Sequence, residues 1–239
     1  VFAIDANATP PVETAAFAGV GTAIFSMIAH PSSGDVYVAN TEARNEVRFE
    51  GPGAYASGPS GKSTPGEPAT VRGRLHESRI TILSGSSVLP RHLNKHIDYT
   101  AVPVPAGTKA KSLAIPTALA IAPDGNTLYV AAFGSSKIGV FDTGQLAADS
   151  FVPDEASHIA VAGGGPSGLW LAGNDLYATT RFDNAVVRID ATTGAELERV
   201  ALHNPEPADV VAGRPFLYDA RLTSSNGEAA CASCHLFGD

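Results

Sequence analysis

The feature that most constrains this chain is that it repeats itself. "DVYVANTEARNEVRF" starts at Asp35, "NTLYVAAFGSSKIGVFD" at Asn126 and "NDLYATTRFDNAVVRID" at Asn174. Each copy has a short run rich in β-formers, a polar turn and a second such run. Upstream of each stands another apolar run closed by turn chemistry: "FSMIAHPSSGD", "TALAIAPDGN" and "SGLWLAGND". Pro, Asp, Ser and Gly at these joints favour tight reversals, because Pro presets φ and Gly accepts positive φ. Tyr129 and Tyr177 are 48 residues apart, and Tyr37 precedes Tyr129 by 92. A period of about 40–50 residues with four short strands per unit reads as the blades of a β-propeller. The expected fold class is therefore all-β.

The doubled spacing before Tyr129 calls for an insertion rather than a hidden blade. Residues 51–70, "GPGAYASGPSGKSTPGEPAT", are rich in Gly, Pro and Ser and have too little apolar surface to pack. A surface loop is expected over 51–72. "SRITIL", residues 78–83, is then the delayed third or fourth strand of the first blade. At the start, "VFAID" resembles the blade-ending runs "GVFD" and "VRID", and "AAFAGVG" reads as an outer strand. At the other end, residues 207–221, "PADVVAGRPFLYDAR", read as the first two strands of a new blade. These half-blades either pair to close a ring of four, or further blades lie outside the 239 residues. The opening, with no initiator Met and no basic leader, reads as a mature product or as a piece of something longer.

"VYVAN" and "LYVAA", each followed by a turn and a run such as "IGVFD", resemble the YVTN-type β-propeller repeat. The likeness covers most of residues 1–205. It implies four-stranded blades and says little of activity, since the fold hosts many chemistries.

The chemistry is concentrated at the end of the chain. The only two cysteines, Cys231 and Cys234, stand in "CASCHLFGD" with His235 directly after them. C-x-x-C-H is the attachment pattern of c-type haem. Two thiols three residues apart reach the two vinyl groups on one porphyrin edge, and the adjacent imidazole becomes the proximal iron ligand. Cys231, Cys234 and His235 are thus the cofactor-binding residues for one covalent haem c, with His235 the metal ligand. Three other readings compete. A redox C-x-x-C pair wants a βαβ context, a zinc site wants four ligands, and a disulfide across two residues is short and strained.

The flanks add a second resemblance. "GRPFLYDARLTSSNGEAACASCH", residues 213–235, is similar to the lead-in to the first haem domain of bacterial di-haem cytochrome c peroxidases and their methylamine-utilisation relatives. Phe216, Leu217, Tyr218, Asp219, Arg221 and Leu222 match that family's run, and Ser224–Gly227 supply the polar turn. The match spans about 25 residues and lacks the family's second C-x-x-C-H, distal ligand and downstream acid. What it implies is a division into propeller blades over 1–212 and the start of a haem-binding segment over 213–239.

Other residues carry weaker signals. Met27 reads as core and Trp170 as packing between blades. His92 and His96, four apart, read as a solvated loop, with a metal pair or a distal haem ligand as the alternatives. His30 reads as a turn residue. "NAT" at 7–9 fits a glycosylation acceptor, and "SGPSGKST" at 57–64 fails the phosphate-loop pattern because its first Gly position falls on Ala56.

A formal net charge of −8 argues against a nucleic-acid partner, and no apolar run reaches the ~20 residues of a membrane span. Thioether attachment implies an exported protein, periplasmic or extracellular. The expected function is a c-type cytochrome with a propeller platform. It would pass electrons to or from a redox partner protein or further domains of the same polypeptide, with the resemblance raising a peroxidase-like oxidoreductase. The alternative is a propeller binding or scaffold module in which the haem segment is the truncated start of a neighbouring domain.

Overall fold

The computed structural model describes residues 1–44, 74–99, 101 and 103–235. It consists of four antiparallel sheets, one of two strands and three of four. Strands β1 (Phe2–Asp5) and β2 (Val12–Ala16) pair only with each other. Blade 1 is β3 (Ala23–Ala29), β4 (Val36–Ala43), β5 (His76–Ser84) and β6 (Ser87–His92). A short helix, α1 (Thr108–Lys111), leads into blade 2. Blade 2 is β7 (Pro116–Ile121), β8 (Thr127–Ala132), β9 (Lys137–Asp142) and β10 (His158–Ala160), with helix α2 (Thr143–Ala147) between the last two. Blade 3 is β11 (Pro166–Ala172), β12 (Asp175–Thr180), β13 (Ala185–Asp190) and β14 (Glu196–Ala201). Each sheet meanders in sequence order, and β3, β7 and β11 stand side by side around a common axis. These are propeller blades, as the repeat requires. "SRITIL" belongs to β5, the third strand. The expected loop over 51–72 lies outside the described residues.

Alternation along each strand sends one set of side chains to each face of its blade. Tyr37, Ala39, Ile80 and Ile82 of blade 1 pack against Leu119, Leu128, Val130 and Phe141 of blade 2. The other face of blade 2, with Ala120, Tyr129 and Ile138, packs on Leu176, Ala178, Val187 and Ile189 of blade 3. The blade 1–blade 2 contact is extended by His30. Its Nδ1 accepts from the Ser33 amide at 3.1 Å, so the proton sits on Nε2 and is donated to the Gly125 carbonyl at 3.0 Å. His30 is therefore a turn residue that also ties two blades together.

Three expectations are corrected. Residues 208–218 form a helix, α3 (Ala208–Tyr218), followed by α4 (Ala220–Thr223), instead of two strands. Pro207 at the N-cap and Asp209 in the first turn suit a helix start, where fixed φ and negative charge are favourable. Trp170 is 63% exposed and Met27 54%. Trp170 lies tilted on Tyr177, centroids 5.3 Å apart, on the face of blade 3 turned away from blade 2. Met27 pairs with Val38 on the face of blade 1 turned away from blade 2. On Met27's face the Val1, Phe17 and Val20 side chains cover Val38 but leave Met27 half exposed, and apolar character alone did not distinguish covered positions from uncovered ones.

Candidate functional site

All three axial strands carry the same irregularity. In β3 the pairing skips Phe25, between Ile24↔Asn40 and Ser26↔Ala39. In β7 it skips Thr117, and in β11 it skips Ser167. Each skipped residue stands three before the partner of the repeated tyrosine: Ile28 for Tyr37, Ala120 for Tyr129 and Trp170 for Tyr177. A bulge turns an extra side chain out of the alternation and bends the strand, and bulges gather at rims and binding sites. Here the three bulged residues converge on one half-open cavity of about 490 Å³.

The rest of the cavity wall comes from two sources. Phe133 from the turn after β8 stacks edge-on to Phe182 and Tyr218, each at 5.4 Å, while Phe182 and Tyr218 stack at 6.2 Å. Arg181 supplies the charge. Tyr218 and Ala232 belong to the C-terminal segment, which lies across the cavity.

That segment is clamped to every blade by a buried charged group. Arg214 donates through Nη1 to the Arg181 carbonyl of blade 3 at 3.0 Å and forms an ion pair with Glu206. Asp219 accepts from Ser136 Oγ at 3.0 Å, beside blade 2, and from both Nε and the amide of Arg221. Glu228 reaches blade 1: its Oε1 accepts from His92 Nε2 at 2.8 Å, Asn94 Nδ2 at 3.0 Å and the Ser78 amide at 3.3 Å. The Tyr99 hydroxyl donates to its other oxygen. Burial acts to raise the Glu228 carboxyl. The hydrogen bond and charge of His92, the nearby His76 and the Tyr99 hydroxyl outweigh it and hold the group below the usual carboxylate range. Burial, with the Glu228 charge behind it, pushes the Tyr99 phenol up. Gly227 fits beside this clamp only as glycine: its φ is +78°, and a Cβ would stand 2.8 Å from Lys109 Cγ.

Beyond Glu228 the chain makes a single 3-10 turn, Cys231–Ser233. The Ser233 amide donates to the Ala230 carbonyl at 3.0 Å, and the Cys234 and His235 amides donate to the Cys231 carbonyl at 3.2 and 3.0 Å. Cys231 and Cys234 are free thiols, both exposed, and His235 is exposed beside them. Ala232 between the thiols is buried against the propeller and lines the axial cavity. Two thiols and an imidazole on the exposed side of one turn match the donor set of a covalent haem. Among the described residues no group of three or more His, Cys, Asp or Glu is arranged to hold a bare metal ion. His92 and His96 are not a solvated pair. His92 ends β6 and holds Glu228, and His96 sits in the next turn with Nε2 on the Thr108 carbonyl at 3.0 Å. Sequence reasoning placed Asp219, Arg221 and Tyr218 in a motif but missed their clamping and lining roles, and it missed Glu228 and Arg214 entirely.

No family model matches the chain, and no curated protein matches it. Solved structures of similar outline include hydrazine synthase of Kuenenia stuttgartiensis, 16% identical over 75% of this chain and 47% of that one, with a TM-score of 0.47. A periplasmic gluconolactonase of Pseudomonas aeruginosa is 15% identical over 74% and 42%, TM-score 0.43. A putative 6-phosphogluconolactonase of Bacteroides fragilis is 16% identical over 85% and 50%, TM-score 0.47. The chain thus spans about half or less of the structures it matches. The propeller assignment rests on the blades described above. Among the described residues no helix is long and apolar enough to cross a membrane.

Proposed function

We propose that this chain is a propeller scaffold that holds a haem-attachment turn over its axis. Cys231 and Cys234 would bind one haem c through thioethers, and His235 would ligate its iron. When bound, the haem supplies reversible one-electron chemistry. The chain's own residues do the positioning: Arg214, Asp219 and Glu228 fix the segment to the three blades, and Ala232 seats the turn so that both thiols stay exposed. The observation that carries the reading is the donor triad itself, two unpaired thiols and an imidazole within five residues on an exposed turn. Such a protein would work outside the cytoplasm, exchanging single electrons with a partner protein or with further domains of its own polypeptide.

A second reading is favoured by the same exposure. The turn has the propeller beneath it and nothing above it among the described residues. The segment is on this reading the start of a neighbouring domain, and the propeller is a binding or scaffold module. Intact mass and a reduced-minus-oxidised spectrum separate the two. Covalently added haem mass and c-type bands support the redox reading. A colourless, folded protein with two free thiols or one disulfide overturns it and leaves the scaffold.

A further inference from the structure

We propose that the axial cavity is a binding site for a small aromatic carboxylate, a ligand distinct from the haem. The inference stands on the cavity and not on the haem reading. Its walls set the shape of the occupant. Phe25 comes in from the bulge of β3, and Phe133 and Tyr218, packed edge-on against each other, form a second stretch of the wall. Aromatic walls in this arrangement favour a flat, apolar body, which gains edge-to-face or offset contacts in addition to area burial. A volume of about 490 Å³ lies within the range used by small-molecule sites and admits one or two fused rings.

The charge sets the other end of the ligand. Among the described residues that line the cavity, Arg181 is the one ionised side chain and none is a carboxylate. Among the described residues its guanidinium makes no hydrogen bond and no ion pair, although the protein as a whole is acidic. Arg214, ion-paired with Glu206, bonds to the Arg181 carbonyl, and the two guanidinium groups repel. The backbone of Arg181 is fixed, with its amide on the Gly165 carbonyl at 2.9 Å and its carbonyl on Arg214. A planar fork on the wall of a largely apolar cavity suits bidentate pairing with a carboxylate. The polar wall groups do not compete for it. Thr117 Oγ1 is already committed to the Pro166 carbonyl at 3.1 Å, and Ser167 Oγ to Thr179 Oγ1 at 3.0 Å. Tyr218 lines the cavity, and its hydroxyl makes no hydrogen bond among the described residues.

The equivalence of the three bulges strengthens the case. Strands with plain alternation would present no extra side chain at this level. The chain instead departs from alternation three times at one register, and each departure serves the cavity.

The test uses 2-naphthoate and its neutral isostere 2-naphthamide, titrated calorimetrically into the whole protein. The acid is expected to bind at least about tenfold more tightly than the amide, as a charge-assisted pair in a partly dry site should. Arg181→Gln is expected to bring the acid down to the level of the amide, while Arg181→Lys keeps part of the difference. Arg181 is exposed, so these variants should keep the wild-type far-ultraviolet spectrum. Equal binding of acid and amide, no binding of either, or full acid binding by Arg181→Gln overturns the proposal. A last arm repeats the titration on the Cys231→Ser/Cys234→Ser protein. Unchanged affinity supports a free ligand. Binding that appears only when covalent haem is prevented assigns the cavity to the porphyrin carboxylates and overturns it.

Discussion

Replacing Glu228 by Ala should release the C-terminal segment from blade 1. The side chain is almost fully buried and accepts from His92, Asn94, Tyr99 and the Ser78 amide. Its removal leaves four donors facing a small void. Each orphaned donor costs about 1–3 kcal/mol, reduced where water enters. Relief of the carboxylate's own desolvation offsets part of this, so the net loss should be about 3 kcal/mol. The two clusters that join blades 1–3 include no residue of 219–235, so the loss should appear first as local undocking of that segment. Amide hydrogen exchange reads this directly at Ser233, Cys234 and His235, whose N–H groups are held inside the turn. Exchange there should speed up by about a hundredfold, since each tenfold corresponds to 1.4 kcal/mol, while amides of β8 and β12 stay protected. Glu228→Gln keeps the shape but places an amide opposite donors, and should give an intermediate effect. Exchange within about threefold of wild type, with an unchanged urea midpoint, would refute the reasoning and show the clamp to be energetically idle.

Acid should destabilise the fold. Burial holds His76 and His158 neutral, with His158 pushed down to about 4. The folded state therefore binds fewer protons than the unfolded chain, and stability falls as pH drops from 6.5 towards 4. For His158 alone the loss is up to about 3 kcal/mol. Glu228, held below the usual carboxylate range, adds a further loss as it is protonated. A urea midpoint that stays flat from pH 7 to 4 would contradict this. Gly227→Ala should cost about 1–2 kcal/mol, from a left-handed φ and contact with Lys109, measurable as a lower melting temperature. Trp170 fluorescence should be quenched by acrylamide nearly as efficiently as free indole, since the ring is 63% exposed; weak quenching would mean that its face of blade 3 is covered. Cys231→Ser with Cys234→Ser should abolish covalent haem retention in an acid–organic extraction, with far-ultraviolet dichroism unchanged.

The blades were legible from sequence because their determinants are local. A period-2 apolar run, a Gly- or Asp-bearing turn and a second run specify a hairpin wherever they occur, and three copies specify neighbouring blades. The nearness of Cys231, Cys234 and His235 was legible for the same reason: they sit on one turn whatever the rest of the chain does. Residues 207–221 misled because a short apolar stretch fits either period, and docking against the blades selects the helix. The bulges at Phe25, Thr117 and Ser167 leave no mark in composition; they exist as offsets in pairing, and they become one cavity only when three strands share an axis. The clamps lie further still from sequence reach. Glu228 meets partners 129–150 residues earlier, and a carboxylate in "SSNGEAA" looks like any solvated acid until tertiary packing removes water and leaves His92, Asn94 and Tyr99 to replace it.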